Sequence, residues 1–518
     1  MSGLTVPRTE TLLRNSTREV VSVRRFGARG DGVFNNLTAF RDTLAAANDG
    51  DTITIPPGDY LIEYQEASGD TSVFDLVGRK DLTVLGEQGS KLTIKHDVTG
   101  GSRFAFARGP CERVRFEGLD IDWESLNSPP TGSNSRGTIF DFRQAAGSVC
   151  KEVTVQHCRL KATHSGGANM GGTSDDGKMG VLFFEGDDTA TRASTLRFLN
   201  NDVHDSRGRV IWLWYTDKSE ISGNTFTNCG GHTLLRMLTQ NRGLRVTRNH
   251  IVMPLADFTA PAIYLSGQSG DASHRWVIAE NIIECGNNGG IEILGSSYGT
   301  ILGNVLTHRD NYAGAGREGI RIWDDTSSGG RNAEHIAVSA NVIYGMATSV
   351  ILLGKARYIN VNCNQLNVLQ AGANNSVSPS FVDVVGNTFF AGQCRTRGLS
   401  WNVRANTFHD SPAQAIRCGT IDAARHTVQG NTIYNAGVSV SDSDAIDMEG
   451  AGHVVENNRV FGSTHRHAIR HPNVNEFLAS GKSHIRNNWV TEGTSATVIS
   501  AGANVETGGN IIDDVWPS

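Results

Sequence analysis

One asparagine, returning with the same neighbours along most of the chain, constrains the fold more than any other feature. From about residue 196 onward a phrase recurs in which a β-rich stretch leads to Asn, a variable residue, and then Ile, Val, Leu or Phe. It is read at Asn224 (ISGNTF), Asn249, Asn281 (VIAENII), Asn304, Asn341, Asn364, Asn387, Asn406, Asn431, Asn458, Asn488 and Asn510. Successive copies stand 19 to 37 residues apart and cluster near 23. A period of that size marks a stacked solenoid, where each repeat buries its apolar face only against its neighbours. The flanking residues alternate apolar and polar with period two, as strands do, and the Leu-rich consensus of the other common repeat of this length is absent. The predicted fold class is therefore all-β, a parallel β-helix solenoid. Asn at one fixed place suits a tight corner, because it tolerates left-handed backbone and its amide can pair with the amide one coil away. The Asn ladder is thus read as structural. Weaker versions at VRFEGLDI (114–121) and VTVQHCRL (153–160) carry the pattern toward the N-terminus.

A solenoid removes the usual inference from length, since 518 residues add coils to one core without requiring several domains. Charged residues make up 19% and Gly reaches 59 against 12 Pro, the profile of a folded, turn-rich β protein. A net charge of −6 leaves no electrostatic footprint for nucleic acid or an anionic membrane. No apolar segment follows a basic start, and no run of 18 apolar residues occurs, so a soluble chain without a visible signal peptide is expected and the compartment stays open. Eight scattered Cys without a CxxC pair indicate neither a zinc site nor a dense disulfide framework. No cofactor is required. The pairs Asp175-Asp176 and Asp187-Asp188 offer oxygen ligands that suit Ca²⁺, though no spacing there compels a metal.

The segment RRFGARGDGVFNNLTAFRDTLAAANDGDTITIPPGDYLI, Arg24 to Ile62, resembles the opening of proteins of the pectate-lyase-like superfamily and of many phage tailspikes. The resemblance lies in a Phe-Gly-Ala-x-Gly-Asp-Gly phrase, a short helix and a Pro-Pro-Gly-x-Tyr strand. An acidic pair followed by Thr is usual before the helix; here Asn35, Asn36 and Leu37 stand instead, and Asn also caps helices well. The resemblance implies a right-handed parallel β-helix, with a helix near Asn36 to Ala47 lying over its N-terminal end through Leu37, Phe40 and Leu44. The expected organisation is an extension over 1–22, the opening motif and capping helix over 23–62, and the β-helix over 63–518. The superfamily hosts lyases, hydrolases, epimerases and adhesins, so it implies a fold more firmly than a reaction.

Roughly ten residues after most ladder Asn comes a further strand of the form Gly/Ala-Ile-x-apolar, as in AIYLSG (262–267), GIEILG (290–295) and GIRIWDD (319–325). The β-branched residue should point inward and the next one outward. Stacked coils then write an outward column: Leu182, Trp212, Arg236, Tyr264, Glu292, Arg321 and Ile351, and later Arg417, Asp447 and Arg470. A second column two residues on reads Phe184, Trp214, Leu238, Ser266, Leu294, Trp323 and Leu353, and later Glu449. Trp212, Trp214 and Trp323, with Arg236, are the expected substrate-binding set, because outward aromatic rings stack well on the apolar faces of sugars. Tyr264, Glu292, Arg321, Asp324 and Asp325 are the expected catalytic set, walled by long loops from Ile251 to Arg275 and from His308 to Glu334. In a hydrolase, Glu292 and one of Asp324 or Asp325 would serve as acid and base with Arg321 tuning them. In a lyase, Arg321 or Arg236 would neutralise a uronate carboxylate while Tyr264 or a nearby Lys or His moves the proton.

A second polar patch, Arg417, Asp447, Glu449, Arg470 and His471, reads as a salt-bridge ladder. The expected function is cleavage of a polysaccharide by a lyase or glycoside hydrolase. The alternatives are a tailspike-type or adhesin-type glycan binder and a uronate-chain epimerase. Repeats that run to Asn510, eight residues before Ser518, speak against a trimerisation domain; the oligomeric state, the sugar and the linkage stay open.

Overall fold

A computed structural model of the chain describes residues 18–512 apart from 65–69, 97–102, 126–135, 144–146, 165–178, 188–190, 209, 232, 239, 254–260, 268–272, 286–288, 309–317, 325–330, 373–377, 420–423, 440–442, 463, 473–481, 492–497 and 503–504. The chain divides into two compact units, Met1–Arg236 and Met237–Ser518. No described helix is long and apolar enough to cross a membrane.

In the first unit each coil supplies three strands. Thr52–Ile55, Gly58–Tyr64 and Asp70–Asp75 form one coil, and Thr83–Gly86, Ser90–His96 and Arg103–Arg108 form the next. Equivalent strands pair in parallel, with Ile53 opposite Val84, Ile62 opposite Ile94 and Phe74 opposite Ala107. Period-two alternation turns all six of these residues inward, where each is fully buried. Parallel pairing thus stacks like on like and fills a continuous core.

The helix Leu37–Ala46 covers the first of these coils. It buries Ala39, Phe40, Thr43 and Leu44, and the Phe40 ring lies 5.8 Å from both Tyr60 and Phe74. Leu37, expected on the same face, is only half-buried. Asn36 precedes the helix but does not cap it with its side chain. Its Nδ2 donates to the Leu61 carbonyl at 3.1 Å and its Oδ1 accepts the Arg29 N–H at 2.6 Å, which ties the helix start to the neighbouring strand.

The second unit repeats the three-strand coil: Trp276–Ala279, Ile282–Cys285 and Ile291–Leu294, then Ser297–Leu302, Val305–His308 and Glu318–Trp323. The ladder Asn sits between the first and second strands of each coil. Its own backbone is not left-handed, contrary to the expectation from sequence. The residue before it is: Arg248, Glu280, Gly303, Ala340, Cys363 and Ala405 have φ between +52° and +64°. Asn is needed there for its side chain. The Nδ2 of Asn281 donates to the Val246 carbonyl and to Asn304 Oδ1, both at 2.9 Å. Its Oδ1 accepts from the Asn249 backbone N–H at 3.0 Å and from Asn249 Nδ2 at 2.9 Å. The pattern continues coil by coil to Asn510. A left-handed non-Gly residue costs roughly 1–2 kcal/mol, and each buried amide bond returns about 1 kcal/mol net, so the ladder offsets the strained corner beside it.

Candidate functional site

Along the third strands from Ile263 to Leu353 in the second unit the sidedness is clear. Ile263, Leu265, Ile291, Ile293, Ile320, Ile322, Val350 and Leu352 are buried, and the residues between them face outward. Cα register joins those outward residues into one column, Tyr264, Glu292, Arg321, Ile351, Gln370, Arg395, Arg417, Asp447, Arg470 and Ser500. A parallel column carries Ser266, Leu294, Trp323 and Leu353. In this unit both columns run as the alternation predicts, with Gln370 and Arg395 as members the sequence pattern passed over.

Glu292 is half-buried between Tyr264 on one coil and Arg321 on the next. Burial pushes its carboxyl above the usual carboxylate range, against the pull of the Arg321 guanidinium and the Trp323 side chain, and the Glu318 carboxylate pushes it further up. Arg321 lies 5.0 Å over the Trp323 ring, and its Nη2 stands 4.0 Å from Glu318 Oε1. Four side chains of two neighbouring coils therefore converge: a carboxyl raised by burial, a second carboxylate, a cation and a half-buried indole.

Glu318 was not singled out from the sequence. It opens its strand directly after a long loop, and Gly319 and Ile320 are both buried, so simple alternation does not mark Glu318 as outward. Asp324, expected to face substrate, is 1% exposed, which removes it from direct contact with a polymer. Asp325 lies outside the described residues, as do parts of both loops expected to wall the site.

The first unit holds Trp212, Trp214 and Arg236, and here the expected columns shift by one residue. Trp212 stands opposite Phe183 and Trp214 opposite Glu185, instead of opposite Leu182 and Phe184. Trp212 is 6% exposed, held 5.3 Å from Phe183 and 6.1 Å from Trp214, with the Arg236 guanidinium 5.6 Å over its ring. An open sugar platform is not what Trp212 presents; it is the centre of a satellite core. Trp214, half-buried and stacked on Tyr215 at 5.8 Å, keeps exposed surface. A cleft of about 600 Å³ in this unit is lined by Arg79, Lys80, Glu112, Lys151 and Arg192 among others, without an aromatic ring.

The second polar patch is more deeply set than a surface ladder. Asp447 is 2% exposed and accepts from Arg470 Nη1 at 3.1 Å; burial pushes its carboxyl up, against the pull of Arg470. Behind it Asp444, 1% exposed, is clamped by Arg466 at 3.0 and 2.7 Å and lies 2.6 Å from His467 Nδ1. His471, assigned to the outer patch from sequence, points inward: it is fully buried and its Nε2 lies 2.9 Å from Ser483 Oγ. It belongs to an interior histidine row, with His426 stacked on His453 at 5.1 Å and His453 at 5.5 Å from His471. The backbone N–H of Trp401 donates to His426 Nδ1 at 3.1 Å, and that of His426 to His453 Nδ1 at 3.2 Å.

Among the described residues no group of three or more His, Cys, Asp or Glu side chains is arranged to hold a metal ion. Asp175, Asp176 and Asp188 lie outside the described residues, and Asp187 is exposed.

Residues 149–327 match the family described as the right handed beta helix region. The chain is a right-handed parallel β-helix protein. No curated protein matches the sequence significantly. Solved structures of similar backbone course include the catalytic unit of a thermostable α-1,3-glucanase from Streptomyces thermodiastaticus, at 15% identity and a TM-score of 0.43, over 96% of this chain and 71% of that one. A tailspike protein of Escherichia coli bacteriophage HK620, in complex with a pentasaccharide, aligns at 12% identity and a TM-score of 0.48, over 96% and 81%. The A-module of the Azotobacter vinelandii mannuronan C-5 epimerase AlgE6 aligns at 14% identity and a TM-score of 0.30, over 96% and 100%. Likenesses at this identity and score decide nothing about the chemistry of this β-helix, which rests on its own side chains.

Proposed function

We propose that this β-helix cleaves a polysaccharide held along the outward column of its second unit, by glycoside hydrolysis, with Glu292 as general acid. The observation that carries this reading is the setting of Glu292: burial raises its carboxyl above the usual carboxylate range, yet the side chain stays half-open on the outer face beside Arg321 and Trp323. A general acid needs both properties, a carboxyl raised above its usual range and a substrate oxygen within reach. Glu318 supplies the second carboxylate that hydrolysis requires, and Arg321, placed near both, balances charge as the glycosidic bond breaks. Trp323 offers an apolar surface of the kind sugar rings stack on, and Tyr264 a hydroxyl one coil away. Asp324 and Asp325, the partners first expected, give way to Glu318 in this scheme.

Incubation with a panel of neutral and acidic polysaccharides tests the proposal. New reducing ends without ultraviolet absorbance from a new carbon–carbon double bond are expected, and Glu292→Gln should slow their appearance by orders of magnitude while retaining glycan binding. Appearance of the double bond would move the reading to a lyase, with Arg321 neutralising a uronate. Binding without any turnover would make the protein an adhesin.

A further inference from the structure

Four coils along the column from Glu292, the outward positions become a run of cations. Arg395 and Arg417 are direct Cα partners on adjacent coils, about 4.8 Å apart at sheet spacing, and Arg397 lies two residues beyond Arg395 on the same strand edge. Like charges this close repel, and proteins usually interleave carboxylates between them. The nearest described carboxylates are engaged elsewhere or stand at the limit of pairing distance. Asp447, the next residue of the column, pairs with Arg470 at 3.1 Å, and Glu449 stands 4.0 Å from Arg417, both side chains half-buried. Among the described residues no carboxylate stands within ion-pair distance of Arg395 or Arg397. The Nε–H groups of both are shielded from solvent and find no acceptor. Burial and the Arg417 charge pull the Arg395 guanidinium below its usual range, so the protein pays for keeping this cation where it is.

Guanidinium groups crowded together, two of them without a carboxylate partner among the described residues, offer donors to an anion from outside. We infer that Arg395, Arg397 and Arg417 form a subsite for a carboxylate-bearing sugar, so that the polysaccharide bound on this face is a uronate-containing chain. Planar guanidinium forks match a carboxylate two bonds at a time, and such charge-assisted pairs fix orientation as well as affinity. The inference rests on the reading of this face as a glycan groove but not on Glu292 being the acid. A sulfate ester offers the same guanidinium contacts, and it is the competing source of the anion.

Calorimetric titration of the whole protein with hexagalacturonate, hexamannuronate, a κ-carrageenan hexasaccharide (sulfated, without carboxylate) and maltohexaose separates these cases. A uronate hexamer is expected to bind, with affinity that falls as salt rises. The double change Arg395→Gln with Arg397→Gln should weaken that affinity by at least about tenfold and flatten its salt dependence. Its melting temperature without ligand should not drop, because removing unpaired like charges costs the fold nothing; Arg397→Gln alone provides a milder variant with the same expected direction. Unchanged uronate affinity in both variants, preference for the carrageenan fragment, or no uronate binding at all overturns the inference. Glu292→Gln should bind uronate like the parent, and turnover retained near the parent rate would overturn the catalytic assignment while leaving the arginine subsite standing.

Discussion

Glu292 and Asp447 occupy the same position of one outward column, six coils or roughly 29 Å apart, and burial raises the carboxyl of each. Their surroundings differ in what remains unused. Asp447 is sealed, holds Arg470 at 3.1 Å and is backed by Asp444, which is itself clamped by Arg466 and His467. Glu292 is half-open, and the nearest described ion pair around it, Arg321 with Glu318, is stretched to 4.0 Å. A raised carboxyl is therefore not a mark of catalysis by itself. What separates a working acid from a structural one is access and an electrostatic partner that is not already committed.

The sharpest way to break this comparison is to neutralise each carboxyl in turn. Glu292→Gln keeps the shape and should cost on the order of 10²–10⁴ in turnover, whereas Asp447→Asn should leave turnover nearly intact. Initial rates on the cleaved polysaccharide decide it, and the opposite ranking would move the active site to the sealed region. Stability should rank the two regions the other way. Asp444→Ala strips the partner from Arg466 and His467 and should cost about 3–5 kcal/mol in urea unfolding, as breaking a buried pair does. Glu318→Gln, at a half-buried pair stretched to 4.0 Å, should cost no more than about 1 kcal/mol.

Acid should also find the sealed region first. Burial holds His426 well below the usual imidazole range and His453 at about 4. The unfolded chain therefore binds protons that these folded histidines refuse. Their contribution is complete above the unfolded histidine pKa of about 6.5, is lost as pH falls, and levels off below the folded values, with His453 alone worth on the order of 3 kcal/mol. Hydrogen exchange followed from pH 7 toward pH 4 should show protection falling in residues 399–486 before it falls in residues 276–323; uniform loss would remove the histidine row as the cause.

The smallest expected effect distinguishes the two tryptophan environments. Trp323→Ala should weaken glycan binding by roughly 1–3 kcal/mol with the fold intact. Trp212→Ala, in the satellite core, should instead lower stability and leave the affinity of the folded fraction unchanged.

Much of this molecule is legible in its sequence, and the parts that are not share a physical reason. The ladder Asn announced the coil because a buried amide that must pair above and below admits no substitute, so one letter recurs. The left-handed residue before it went unread because Arg, Glu, Gly, Ala and Cys all occur there, each forced into place by its neighbour. The columns of the second unit were readable where one strand face is polar. In VLFF (181–184) every residue is apolar, so period two has no contrast there; the one polar residue of the strand, Glu185, marks the outward face and sets the register one residue off the pattern read from the apolar run. Glu318 and Asp444 escaped notice because each sits where a loop enters a strand, outside the alternating stretch. His471 was misplaced because a polar residue facing inward violates the rule that reads sidedness, and only its row of partners explains it.

The clamp at each ladder Asn also makes the coil an error-correcting unit. Whatever happens to the chain between two clamps, whether 19 residues or 37, the next Asn is brought back beneath the last and the strands that follow resume the same register. Insertions are absorbed locally and never accumulate along the stack. The outer face can therefore be rewritten one coil at a time, loop by loop and column by column, without renegotiating the core, so that a change of ligand need not begin with a change of fold.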